Sequence, residues 1–196
     1  MIPELNYPSE HYKQAAEEAL TGFSATEPWM GQALYALARA TESRHICEVG
    51  VYTGITTIWL ALAAQQTGGC LIAIDHNADY LDKTRARLEA AGLLGSVELV
   101  QGDAVSTLHN RTELFDFVYL DADHSYDGLE RIFRAAWLQT RDKGLMCLHD
   151  TNYFPTCAEN EWLALHFPHA VRLLGGCGPT PHGMMPKGVG LIQVVK

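Results

Sequence analysis

The chain is short of positive charge. It carries 14 Lys and Arg against 23 Asp and Glu, a formal net charge of -9, and no run of basic residues occurs anywhere. Nucleic acid and anionic membrane surfaces are held by clustered cations, so neither is expected as a partner. Also missing is any apolar stretch of about 18 residues, the length that reads as a membrane-spanning helix. The opening segment, "MIPELNYPSEHYK", lacks the charged-then-apolar pattern of a signal peptide. Cysteine is sparse: Cys47, Cys70, Cys147, Cys157 and Cys177 are scattered, odd in number and form no CxxC. That pattern speaks against a disulfide framework and a zinc site. Cys47, Cys70 and Cys147 fall in apolar strand-like runs and are expected as buried free thiols. Together these absences give a cytoplasmic protein as the expectation.

What is present is a strong alternation of apolar runs. Apolar residues make up 47% of the chain, enough for a sizeable core in one domain. Strand-like runs lie at 45–51, 70–75, 97–103, 115–121, 144–150, 170–175 and 189–195. Helical periodicity occupies 29–41, 53–66, 78–92, 126–140 and 159–167. Helices between strands predict an α/β fold: a Rossmann-like, doubly wound, mostly parallel seven-stranded sheet. The last two runs are joined by "GCGPTPHGMMPKG", with no helix between them, so the last strand is expected antiparallel at the sheet edge. Residues 1–196 read as a single domain, with 1–27 as an N-terminal extension. The four tryptophans, Trp29, Trp59, Trp137 and Trp162, sit at helical spacings and are expected in the core.

In such folds ligands bind beyond the carboxyl ends of the strands, at the switch point beside the first strand. The first strand-to-helix turn reads Glu48-Val49-Gly50-Val51-Tyr52-Thr53-Gly54. Glycine permits close backbone approach, and the following helix start offers free N–H groups. The dinucleotide pattern GxGxxG is not met, which disfavours a nicotinamide-dependent dehydrogenase. The acid at Glu48 suits a sulfonium or ammonium ligand better than a diphosphate. Asp75 ends the second strand, where a carboxylate can accept from both ribose hydroxyls or serve as an acid at a helix start. Asp103 ends the third strand, where it can accept from an adenine amino group or act as a turn residue. The fourth strand delivers Asp121, Asp123, His124 and Tyr126 in one burst; packing is the expectation for Tyr126 and capping of the next helix for Asp123.

Taken in order, "ICEVGVYTGITTIWLALA", "LIAIDHN", "VQGDA", "FDFVYLDADHSY" and "GLMCLHDTNYF" resemble the class I S-adenosylmethionine-dependent methyltransferases. Within them the set is most similar to the cation-dependent O-methyltransferases of the catechol and caffeoyl-CoA type, over roughly residues 26–155. The resemblance implies methylation of a hydroxyl on a small-molecule acceptor. It implies that Glu48, Gly50 and Gly54 shape the methionine end of the cofactor site, that Tyr52 lies beside the sulfonium and that Thr56 binds the carboxylate. Asp75 would hold the ribose with His76 flanking it, Asp103 and Ala104 would contact adenine, and Asp121 and Asp150 would hold a divalent cation such as magnesium. A cation lowers the pKa of an acceptor hydroxyl, and a base then takes its proton. His124 stands where that family carries a lysine base, and its titration near neutrality suits the role.

The resemblance departs from the pattern at Asp150-Thr151-Asn152, where the asparagine comes one residue late. The third cation ligand is therefore open among Thr151, Asn152, His149 and water, and His149 would favour softer metals. "DADHSY" and the terminal "HD" also resemble a broader bacterial methyltransferase group, which leaves metal dependence open. Alternatives are a metal-independent N- or C-methyltransferase and a non-catalytic S-adenosylmethionine-binding protein. His182, in the Gly/Pro-rich loop, reads equally as a histidine entering the site from above or as an exposed loop residue with no role. Members of the family are often dimers, so a homodimer is left open by resemblance.

Overall fold

Seven short apolar runs become the seven strands of one mixed sheet, in the order β3-β2-β1-β4-β5-β7-β6. The structure, a computed structural model of the chain, describes residues 28–151, 158–173 and 188–196. The N-terminal extension, Asn152, Cys157, Cys177 and His182 lie outside the described residues. The chain order is α1 (Pro28–Ala40), β1 (His45–Val49), α2 (Ile55–Thr67), β2 (Cys70–Asp75), α3 (Ala78–Ala90) and β3 (Val97–Gln101). It continues with α4 (Ala104–His109), β4 (Phe115–Leu120), α5 (Tyr126–Gln139), β5 (Thr140–His149), α6 (Glu159–His166), β6 (Val171–Leu173) and β7 (Val189–Gln193).

Strands β1 to β5 are parallel, with β1 between β2 and β4. The expected antiparallel edge is present: β7 runs antiparallel to β5, and β6 antiparallel to β7. The chain winds outward from β1 in both directions, so the switch point lies at the carboxyl ends of the paired neighbours β1 and β4.

Alternation along the strands feeds two cores. Ile46, Leu71, Phe117 and Tyr119 pack on one face with Met30, Leu34 and Trp59; Val49, Ile74, Val118 and Met146 pack on the other with Phe133 and Trp162. Each fully buried Leu, Ile or Phe contributes about 1.5–3 kcal/mol. The sequence pattern suggests a one-sided α2, but every residue from Ile55 to Ala64 is buried. The reason is that α1 covers its outer side, so closely that a Cβ on Gly31 would overlap the Trp59 ring. Trp59 and Trp162 are core residues as expected, whereas Trp29 and Trp137 are half-buried. Cys47 and Cys147 are buried free thiols, but Cys70 is exposed because it opens β2 at the sheet's rim. No helix among the described residues is long and apolar enough to cross a membrane.

Local signals explain the helix starts. Asn77 caps α3 by accepting from Asp79 N and Tyr80 N, Asp103 caps α4 by accepting from Ser106 N, and Ser125 caps α5 by accepting from Gly128 N. Gly68, at φ 67°, ends α2 in the left-handed conformation.

Candidate active site

The carboxyl ends of β1, β2, β3 and β4 wall a cavity of about 600 Å³, a volume suited to a nucleoside-sized ligand. Three groups of residues build it. The first is the turn after β1. Gly50 takes φ 91° and Tyr52 φ 48°, and the turn is held from beside it by Asp75. Asp75 Oδ2 accepts from Val51 N at 2.9 Å and from Tyr52 N at 3.0 Å, while Oδ1 accepts from Asn77 N at 2.9 Å. One buried carboxylate thus ties the glycine turn to the start of α3. Tyr52 stands edge-on to Tyr80, ring centroids 4.7 Å apart, and both line the cavity.

The second group is the far wall: Asp75, His76, Gly102, Asp103 and Ala104. Asp103 serves its turn role, since Oδ2 accepts from Ser106 N at 2.8 Å. That bond holds its carboxyl below the usual range. The third group is the ends of β4 and β5. Asp121, Asp123 and His124 line the cavity, and Asp150 is buried behind them in a left-handed backbone conformation, φ 55°. Asp123 Oδ1 accepts from Ser125 N at 3.0 Å, just ahead of α5, whose cap is Ser125 itself rather than Asp123 as expected; Ser125 also depresses the pKa of Asp123. Tyr126, expected to pack, is 41% exposed; its hydroxyl lies 2.9 Å from His166 Nε2.

Asp121, His124 and Asp150 each offer a donor atom, and these lie within 4.8 Å of one another. Two hard carboxylates and an imidazole are a donor set that fits a divalent cation. His149 stands behind this cluster: it is 2% exposed, and its Nδ1 is 2.8 Å from Asp121 Oδ1. It therefore orients Asp121, the position of an outer partner to a metal ligand. Asp121 Oδ2 also accepts from the buried Tyr119 hydroxyl at 3.3 Å. Thr151 is buried, 1% exposed, and its hydroxyl has no partner among the described residues.

Three expected cofactor contacts are not on the cavity wall. Glu48 is fully buried beneath the turn, and burial pushes its carboxyl up to about 8. Thr56, also buried, donates its hydroxyl to Glu48 Oε1. A hydroxyl has one proton, so the carboxylate contact expected of Thr56 is not available in this arrangement. Gly54 shapes the turn at φ 81°, packed against Thr84. Two residues that the sequence does not single out enter the site. Arg131 is a cation on an otherwise acidic wall, and Glu159 Oε1 lies 2.6 Å from His124 Nδ1. That contact raises the pKa of His124. Glu159 reads in the sequence as an ordinary first-turn acid; Arg131 carries no signal beyond its place on α5.

A family model described as "Methyltransferase domain" matches residues 47–151. Among curated proteins, Tricin synthase 2 of Oryza sativa subsp. japonica is 29% identical over 161 residues, covering 74% of this chain and 55% of its own length. Catechol O-methyltransferase of Mycobacterium tuberculosis is 34% identical over 100 residues, covering 50% of this chain and 45% of its own. The chain spans about half the length of these curated relatives. Among solved structures, the O-methyltransferase TomG from Streptomyces achromogenes, in complex with SAM, superposes with a TM-score of 0.77 at 22% identity. The match covers 97% of this chain and 92% of that one. The O-methyltransferase from Bacillus cereus, in complex with SAH, gives 0.77 at 20% identity, covering 98% and 94%. At such identities these two likenesses bear on the fold alone.

Proposed function

The chain belongs to the methyltransferase-domain family, and from that premise we propose that it transfers a methyl group from S-adenosylmethionine to a hydroxyl of a small molecule. The observation that carries this reading is the donor cluster Asp121, His124 and Asp150, of which Asp121 and His124 line an acid-walled cavity and Asp150 is buried behind them. A wall bearing Asp75, Asp103, Asp121 and Asp123 attracts a cationic donor. The family assignment removes the ground for a nicotinamide-dependent dehydrogenase.

In this reading S-adenosylmethionine supplies an electrophilic methyl on its sulfonium. Asp75, already accepting three backbone N–H groups, has lone-pair capacity left for a ribose hydroxyl. Ala104 and Asp103 border the adenine end, and Gly50 and Tyr52 the sulfonium end. The carboxylate end falls to backbone N–H groups at the start of α2, since the Thr56 hydroxyl is engaged. A divalent cation held by Asp121 and Asp150 would supply the charge that lowers the acceptor's pKa. His149 keeps Asp121 in place, and His124 takes the acceptor's proton. The same cluster supports a second reading, in which His124 is itself the third ligand. The acceptor is a small molecule rather than nucleic acid, in keeping with the net charge of -9.

The test uses the purified chain with S-adenosylmethionine and catechol, the acceptor named in the mycobacterial relative, and extends to other hydroxylated small molecules, followed by mass spectrometry. Expected is a product with a methyl group in place of the hydroxyl hydrogen, heavier by one CH2, formed only with cation present. Failure to bind the donor in calorimetry would overturn the reading. Turnover indifferent to chelator would favour the metal-independent form.

A further inference from the structure

His124 is tied to the start of α6 at two points. Its backbone oxygen accepts from Ala158 N at 3.2 Å, and its Nδ1 lies 2.6 Å from Glu159 Oε1. Glu159 is 3% exposed, although it is a glutamate in the first turn of a helix. An acid in a first turn gains from the helix dipole while remaining solvated; Glu161, in the same turn, is exposed in that way. Glu159 instead turns inward, and its second oxygen, Oε2, has no hydrogen-bond partner among the described residues. Burying a carboxylate costs several kcal/mol unless something compensates. The contact that compensates is the one to His124.

That contact has a chemical consequence. A neutral imidazole carries one N–H and one lone pair. A carboxylate cannot donate, so an oxygen 2.6 Å from Nδ1 accepts the proton there, and the lone pair is left on Nε2. His124 lines the cavity with its side chain 40% exposed, so the ring edge away from buried Glu159 is the edge that meets solvent. We propose that Glu159 is a positioning residue: its carboxylate fixes the ring of His124 in the Nδ1–H tautomer and aims Nε2 at the acceptor side of the site. The use made of Nε2, as base or as ligand, rests on the methyl-transfer reading; the tautomer does not.

Long-range proton–nitrogen spectra of the nitrogen-15-labelled full chain, at a pH where the ring is neutral, read the tautomer directly. Expected for the unaltered protein is a protonated Nδ1 and a bare Nε2. Glu159→Ala should move His124 to the Nε2–H form or a mixture and lower kcat about 10–100-fold, the usual effect of losing such a supporting partner. KM for S-adenosylmethionine should stay within about twofold, since the residues proposed to hold it, Gly50, Asp75 and Asp103, stand at the ends of β1, β2 and β3. Glu159→Gln, which keeps an acceptor oxygen, should retain the tautomer and recover most of kcat. A bare Nδ1 in the unaltered protein overturns the inference, as does a Glu159→Ala protein with unchanged tautomer and kcat. If Glu159→Ala does not fold, the spectrum of the unaltered protein still decides. If no methyl is transferred by any variant, the proposed function fails while the spectra still judge the tautomer.

Discussion

A Cβ added at Gly50 would land on the backbone oxygen of Asp121, far inside the 3.0 Å that real Cβ atoms keep. Gly50 also holds φ 91°, where an L side chain is strained. The turn that would receive the donor and the strand end that would prepare the acceptor are therefore in backbone contact. Gly50→Ala should lower stability by about 2–4 kcal/mol, overpacking and strain combined, and weaken donor binding at least tenfold. Denaturant unfolding and calorimetry check both. A variant with ordinary stability and affinity would mean that the two segments separate at little cost.

Asp75→Asn replaces one carboxylate oxygen with an amide that can only donate. One of the two oxygens now accepts from Val51 and Tyr52 together, the other from Asn77. Either orientation of the amide sets donor against donor. Losing bonds to a charged acceptor costs about 1.5–3 kcal/mol each, so a fall in Tm of several degrees is expected, with donor affinity down at least tenfold. Thermal melts with and without S-adenosylmethionine give both numbers.

Glu48 makes stability depend on pH. Its carboxyl is raised from 4.5 to about 8 by burial, so the folded protein holds the proton more tightly than the unfolded chain. Its contribution is full below about pH 4.5 and is lost as pH rises toward 8, at up to about 1.4 kcal/mol per pH unit. Above that range it is flat. Glu48→Gln keeps the shape and cannot titrate. Urea unfolding of both proteins at pH 5, 6, 7 and 8 should show the difference in stability shifting steadily in favour of the variant. A constant difference would mean that Glu48 is ionised throughout.

Chelator should stop turnover without weakening donor binding, because the candidate ligands Asp121 and Asp150 follow β4 and β5 while Asp75, the acid proposed for the ribose, ends β2. Asp150→Asn should behave like the chelated enzyme and respond little to added cation. His149→Ala should raise the cation concentration needed for half-maximal activity about 10–100-fold by freeing the Asp121 carboxylate. Cation titrations of the three proteins separate these effects.

The strands were legible because their apolar runs are continuous and their ends carry acids or glycine, as at Asp75 and Asp121. Helix α4 was not: six residues, Ala104–His109, with Ser106 and Thr107 inside, are too few to show a periodic stripe. Its one signal was Asp103, whose role as cap competes with the ligand role in the same sequence position. The first residues of β5 were hidden because Arg141, Asp142 and Lys143 are exposed and polar, and Lys143 adopts φ 65°. In the site, acids at strand ends follow from topology, so Asp75, Asp103 and Asp121 could be read directly. The engagement of Thr56 by Glu48 could not, because helix phase decides which way a threonine at a helix start turns. Glu159 meets His124 across 35 positions of sequence, and that separation carries no local pattern.

The double tie between His124 and the start of α6 bears on how much the neighbouring chain can change. Asp150 Oδ2 lies 3.6 Å from His124 Nδ1, and Glu159 Oε1 lies 2.6 Å from the same atom. Asp150 and Glu159, which flank residues 152–157 in the sequence, thus meet at one imidazole. The entropy of closing a loop grows only slowly with its length, about 0.6 kcal/mol per doubling. An insertion there should therefore cost little in closure entropy while His124 keeps its contacts on both flanks.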